Sequence, residues 1–209
     1  MEIGDTVSLV REFFETYEIT PLSDHPTDTE FVDVAQRSFS LWREEVNEAL
    51  TAERYFLDVF KTADYEAIAN ALVDVVQEYV DVRYVVAYGF IALRLPTDVE
   101  SEPAAEIDLT EIMDEVIDAF EWYYTAFGLA DFHEAAAELA RTLLVLDGYV
   151  AAIADSGVPL AQAFHIVHKA NLDKVWPDGK IHRNETGKIL KPPGWEGPRR
   201  KLRELLFSD

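Results

Sequence analysis

The sequence predicts an all-α fold of about six helices, arranged as two related four-helix-bundle-like halves and followed by a Gly/Pro-rich basic tail. Three observations lead there. Apolar side chains recur every three or four residues over most of positions 5–175, the period of a helix that buries one face. Gly and Pro, nine of each in 209 residues, cluster late and leave long stretches without a helix breaker. Two stretches of the first half return in the second about 70 residues on, the mark of an internal repeat.

Each element follows in order. Over 5–18, Val7, Val10, Phe13, Phe14 and Tyr17 make a short amphipathic helix. A loop follows and ends at an N-cap, Asp28 or Thr29. From Glu30 to about Tyr55, Phe31, Ala35, Phe39, Trp42, Val46, Ala49 and Leu50 form one stripe on a second helix. The third runs from about Asp64 to Leu95, with Leu72, Val75, Val76, Tyr79, Val82 and Val86 on its buried face. Two more span about 109–127 and 131–155, parted at Phe127-Gly128, and Val158-Pro159 opens a last helix that breaks at Pro177-Asp178-Gly179. What remains reads as an ordered or hairpin-like tail.

The division into units comes from the repeat. REEVNEAL (43–50) is echoed by MDEVIDAF (113–120), and FKTADYEAIANAL (60–72) by FGLADFHEAAAEL (127–139). The expected organisation is a first helical repeat at 1–95, a linker at 96–108, a second repeat at 109–175 and a basic tail at 176–209, with the two repeats packed as an internal pseudo-dimer. A homodimer of such chains is a further assembly this allows.

Composition narrows the function. An apolar share of 49% rules against a disordered acidic chain. No run reaches 18 apolar residues and the N-terminus has no cationic, apolar leader, so the expectation is a cytoplasmic protein that neither spans a membrane nor is exported. The lack of cysteine removes disulfides, thiolate metal sites and thiol nucleophiles together. A net charge of −22 opposes nucleic-acid binding, since phosphates would be repelled. That charge is uneven. Residues 165–209 carry ten basic and six acidic side chains, a net of +4, against −26 for the remainder. Acids suited to cations are thus joined to a tail suited to phosphate.

The acids are patterned. Glu44, Glu45 and Glu48 fall within about 100° on the second helix, beside its apolar stripe. Asp74, Glu78 and Asp81 fall within about 60° on the third. If the two helices pack antiparallel, five or six carboxylates converge, at a cost in repulsion that cations relieve. Magnesium suits such a site, because it takes hard oxygen ligands and leaves room for substrate phosphates; manganese is the natural substitute.

These residues resemble a family. Glu44-Glu45-x-x-Glu48 on one helix, then Glu78-x-x-Asp81 on the next, is similar to the all-α, MazG-like nucleoside triphosphate pyrophosphohydrolases. Asp81-Val82-Arg83-Tyr84-Val85, with Gly89 nearby, matches that group's D-h-x-Y-V…G run. The C-terminal stretch resembles the phosphoribosyl-ATP-pyrophosphohydrolase-like branch through His168, Asn171, Lys174, Asp178, Gly179, Lys180, Arg183, Gly187, Lys188, Lys191 and Trp195. The resemblance implies Mg²⁺-dependent hydrolysis of a (deoxy)nucleoside triphosphate to monophosphate and diphosphate, in house-cleaning or control of a nucleotide pool. It assigns catalysis to Glu44, Glu45 and Glu48, the metal to Glu45, Glu48, Glu78 and Asp81 with Asp74 as a further candidate, and substrate binding to Asn171, Lys174, Arg183, Lys188 and Lys191. A constant offset between the two copies would put Asp74 in the place of Asp81; the intact Glu78/Asp81 motif favours the latter. His168 and Trp195 read as support, the one packing behind the site and the other anchoring its loop.

The second copy departs from the pattern. Asp114, Glu115 and Asp118 stand where acids belong, but Arg141 follows Glu138 where an Asp is expected, and a cation there spoils a metal site. One working site per chain is the expectation, with acids from the first copy facing the tail that follows the second. Phosphoribosyl-ATP hydrolysis in histidine synthesis and a non-catalytic helical protein of the same fold are the alternatives.

Overall fold

A computed structural model describes residues 2–62, 64–100, 108–184 and 189–207. Among them lie seven α-helices and one 3₁₀ turn, with no strand and a single isolated antiparallel bridge, Arg183 to Ile189. The fold is all-α. The linker assigned to 96–108 lies largely outside the described residues.

α1 (Ile3–Thr16) buries Val7, Val10, Phe13 and Phe14. α2 (Asp28–Phe60) has its N-cap one or two residues before the expected Asp28 or Thr29. Thr27 is the N-cap, its hydroxyl accepting from the Glu30 N–H (3.2 Å), while the Glu30 carboxylate turns out to the Ser23 N–H (2.8 Å). The helix also runs past Tyr55, carried on by Phe56 and Phe60, which contact each other. The chain reverses between Phe60 and Tyr65. Asp64 then caps α3 (Tyr65–Ala92) by accepting from Glu66 and Ala67. α4 (Leu109–Thr125) opens with a reciprocal capping box between Asp108 and Glu111. α5 (Phe132–Ala151) tightens into the 3₁₀ turn Ala152–Ser156, which stops at Gly157 with φ +88°, a conformation disfavoured for any side chain with a Cβ. α6 (Leu160–Leu172) follows.

The last helix, α7 (Arg199–Phe207), lies inside the segment read from sequence as a tail. It buries Leu202 fully and packs Leu205 and Leu206 partly against the core, an i, i+3, i+4 stripe on only nine residues. Upstream of it the tail does fold back on itself, with the Leu190 N–H donating to the His182 carbonyl (2.8 Å).

α3 is the hub, packing on α1, α2, α5, α6 and α7. From Val73 onward nearly every residue not facing the acid cluster is buried. The hairpin α2/α3 packs on the hairpin α4/α5 through α2 on α4 and α3 on α5. Two tight contacts set this arrangement. Trp42, fully buried on α2, donates its indole N–H to the Val85 carbonyl (2.8 Å) and lies flat over Gly89, where a Cβ would run into its ring. Arg83 on α3 and Asp147 on α5, 1% and 9% exposed, form a two-pronged ion pair at 2.6 and 2.9 Å between the hairpins. Among the described residues no single helix is long and apolar enough to cross a membrane.

Candidate functional site

The short connection between Phe60 and Tyr65 returns α3 antiparallel to α2, which sets Glu45 opposite Glu78 and Asp81. Glu45 immediately precedes the buried Val46, so it leaves α2 at the edge of the core-facing stripe. Glu78 and Asp81 lie one turn apart on α3 beside buried Val82. Ligand oxygens of Glu45, Glu78 and Asp81 all lie within 4.8 Å of one another, and all three side chains are half-buried. Glu48, one turn after Glu45, shares a carboxyl–carboxyl hydrogen bond with Glu78, which needs a proton on one of the two.

The electrostatics follow from that crowding. Burial, then the charges of Glu48 and Glu45, push Glu78 up to about 7, with Lys191 opposing. Asp81 is raised well above the ordinary carboxylate range by burial first, then by Glu45 and Glu78, with Lys174 pulling the other way. One oxygen of Glu78, Oε2, is buried with no hydrogen-bond partner. An orphaned carboxylate oxygen among three converging hard donors is what a magnesium-sized cation satisfies, so the residues present fit that ion.

The tail supplies the opposite charge. At the end of α6, Lys174 Nζ donates to Asn171 Oδ1 (2.7 Å). Tyr17 pins that end to α1: its hydroxyl donates to the Asn171 carbonyl (2.6 Å) and accepts from the Lys174 N–H (3.1 Å). Trp195 ties the tail to α6 through its indole N–H on the Ala170 carbonyl (2.8 Å), and two ammonium groups flank its ring, Lys191 at 4.7 Å and Lys174 at 5.6 Å from the centroid. The indole thus holds in place the two lysines whose charges act on Glu78 and Asp81. Behind them, buried His168 faces the Tyr84 hydroxyl through Nδ1 and Glu12 Oε2 through Nε2, both at 3.2 Å.

Of the residues singled out from sequence, Glu45, Glu48, Glu78, Asp81, Asn171, Lys174 and Lys191 are brought to one place. Three are not. Glu44 points along an exposed face of α2, about 100° from Glu45, outside the three-carboxylate group. Asp74, two turns before Asp81, is ion-paired with Arg199 of α7. Arg183 donates to the Tyr17 carbonyl at the end of α1 (2.9 Å). Lys188 and Gly187 lie outside the described residues. In the second hairpin, Asp114, Glu115 and Asp118 are exposed, and Arg141 holds Glu138 on its own helix at 2.6 and 2.9 Å.

Sequence reasoning passed over the pairing of Arg83 with Asp147 and the two lysines on Trp195. Arg83 and Asp147 are 64 positions apart and Lys174 and Trp195 are 21 apart, separations that leave no local pattern, whereas Lys191 stands only four positions before Trp195. Comparison with known protein families, with curated proteins and with solved structures finds no match for this chain.

Proposed function

We propose that the protein is a magnesium-dependent nucleoside triphosphate pyrophosphohydrolase, converting a (deoxy)nucleoside triphosphate and water to the monophosphate and diphosphate. The observation that carries this reading is the convergence of Glu45, Glu78 and Asp81 from two helices with two tail lysines set against them. Acids alone suit a cation; acids faced by lysines suit a cation and a polyphosphate together. Glu45, Glu78 and Asp81 would hold the ion, which when bound supplies charge to neutralise the phosphates and polarise the phosphorus under attack.

The chain's own residues supply the rest. Glu48 is more exposed than its neighbours and adjoins them, so it suits the role of general base, taking the proton from the attacking water. The water oxygen bonds to the α-phosphorus as the bond to the bridging oxygen of the departing diphosphate breaks. Lys174 and Lys191 neutralise charge on the phosphoryl oxygens, more so as it builds toward the transition state. Asn171, with its side-chain oxygen engaged by Lys174, fixes that ammonium group and offers its amide N–H groups to substrate.

The test is incubation of the protein with each NTP, each dNTP and phosphoribosyl-ATP, with Mg²⁺ or Mn²⁺, reading diphosphate and orthophosphate separately. Diphosphate from one or more triphosphates supports the reading. Release from phosphoribosyl-ATP alone moves the protein to the histidine-synthesis reaction, and no release from any substrate leaves a non-catalytic helical protein.

A further inference from the structure

The tail after Trp195 follows α3 rather than leaving it. Asn70, Asp74, Glu78 and Asp81 recur at spacings of four, four and three and so share one face of that helix. Along this face the tail sets one cation after another: the Lys191 charge at Glu78, Arg199 on Asp74, and Arg203 on Asn70 Oδ1 (2.7 Å) and on the Glu66 carboxylate (2.8 Å). Between α3 and α7 this leaves an open cleft of about 530 Å³, lined by Asn70, Val73, Glu196, Arg199, Arg200 and Arg203. It adjoins the acid cluster, since Asp74 and Glu78 are one turn, about 6 Å of helix rise, apart.

Three guanidinium groups bordering one cleft are unusual in a chain of net charge −22. Their present partners are carboxylates: Asp74 for Arg199, Glu196 and Glu204 for Arg200, Glu66 for Arg203. These are pairs at the surface, with the arginine side chains 50%, 67% and 38% exposed, and such pairs hold weakly. A polyphosphate carries more charge than one carboxylate and matches the planar guanidinium fork on two oxygens at once, so it can displace them. The first turn of α7 adds backbone N–H groups at the same end of the cleft, on a nine-residue helix.

We propose that the cleft between α3 and α7 is a diphosphate-binding site, in which Arg199 and Arg203 bind the anion and Asp74 occupies Arg199 until the anion arrives. Resting on the triphosphate reading of the acid cluster, this makes the cleft the place that receives the diphosphate leaving that cluster, whose α3 members Glu78 and Asp81 lie one and two turns beyond Asp74. Arg200 widens the positive rim, and Leu202, buried beneath, keeps α7 seated whichever anion is bound.

The test is isothermal titration of the full chain with inorganic diphosphate, in chelator and at low salt, so that neither metal nor nucleotide takes part. One diphosphate per chain is expected. The double variant Arg199→Gln/Arg203→Gln should weaken it tenfold or more, and Asp74→Asn should tighten it severalfold by removing the competing carboxylate. Circular dichroism checks that α7 is retained, and the gain in Asp74→Asn does not depend on any loss of structure. No heat of binding in the wild type, or equal affinity in all three proteins, overturns the site. Failure here is distinct from failure of the triphosphate reading. Diphosphate bound through these arginines in a protein that hydrolyses nothing upholds the site and sinks that reading; hydrolysis with product inhibition unchanged by Arg199→Gln/Arg203→Gln upholds the reading and sinks the site.

Discussion

The hairpins α2/α3 and α4/α5 carry comparable numbers of acids and handle them in opposite ways. In α2/α3, Glu45, Glu78 and Asp81 sit at the margin of the core, where burial and neighbouring carboxylates raise the proton affinity of Glu78 and Asp81, and the opposing charges of Lys191 and Lys174 come from the C-terminal part of the chain. In α4/α5, Asp114, Glu115 and Asp118 stand in solvent, Glu138 is matched by Arg141 one turn away, and the buried acid, Asp147, is matched inside the protein by Arg83. A row of acids therefore does not make a cation site. What makes one is burial deep enough to lower the local dielectric, together with the convergence of several carboxylates on one point. The second hairpin meets neither condition where its acids lie.

The largest effect expected from disturbing this contrast is on stability. Asp147→Ala strands the Arg83 charge between the hairpins, and removing one partner of a buried pair costs about 3–5 kcal/mol. The urea midpoint should fall accordingly. A loss below about 1 kcal/mol, in the range of an exposed pair, would mean that the Arg83–Asp147 contact does not hold the hairpins together.

Next in size is the divide in cation binding. Glu45→Gln, Glu78→Gln and Asp81→Asn should each weaken Mg²⁺ binding on the order of 100-fold or beyond, since even partners outside the ligand set are worth 10–100-fold. Diphosphate release should disappear with it. Glu115→Gln and Asp118→Asn should leave both within twofold. Equal losses from the two sets, measured by calorimetry and by diphosphate assay, would show that both hairpins bind metal.

The pH dependence of the metal-free protein sharpens the same point. The folded state raises Glu78 from its ordinary 4.5 to about 7. A raised carboxyl stabilises the fold below its unfolded value and gives that stability up as pH climbs through the folded one. In chelator the protein should therefore lose stability between pH 4.5 and about 7, and Asp81, raised in the same direction, adds to the loss. Discounted for solvent at this half-buried position, the Glu78 share is on the order of 2 kcal/mol, or several degrees in Tm. The wild-type minus Glu78→Gln difference in Tm across pH 5–8 isolates it, and saturating Mg²⁺ should flatten the curve. A difference that does not vary with pH would mean that Glu78 is ionised as freely as a surface glutamate.

How much of this could be read beforehand depends on how local each cause is. The helices declare themselves through periodic apolar residues, and the acid cluster through Glu45 and Glu48 one turn apart on one helix and Glu78 and Asp81 one turn apart on the next. The antiparallel return that joins them comes from the short connection between Phe60 and Tyr65, which a second helix ending near Tyr55 does not show. Thr27-x-x-Glu30 carries a capping signature one or two residues ahead of Asp28 and Thr29. α7 does carry a periodic signal, Leu202, Leu205 and Leu206 at i, i+3, i+4, but it spans only nine residues and follows Pro192, Pro193 and Pro198, whose breaker signal makes the whole segment read as tail. Asp74 looked like a ligand because its spacing fits, and only the three-dimensional path of the tail brings Arg199, 125 positions later, to it. Pairings of that kind, and of Arg83 with Asp147, are set by tertiary packing and have no local trace.

The smallest expected effect is the one that separates the two explanations of the silent hairpin. Arg141 and Glu138 are both about 40% exposed, so their pair is worth no more than about 1 kcal/mol. Arg141→Asp removes it and sets two like charges at i, i+3, a further few tenths of a kcal/mol at the surface. The Tm should drop by a few degrees at most. If the arginine alone silences this hairpin, the substitution completes a Glu-x-x-Asp pattern and a second Mg²⁺ should bind with affinity close to the first. If burial decides, Asp114, Glu115 and Asp118 remain in water, their carboxylates stay apart, and calorimetry should still count one tight ion per chain. The second outcome is the expected one, because nothing in the substitution moves α4 or covers its acids.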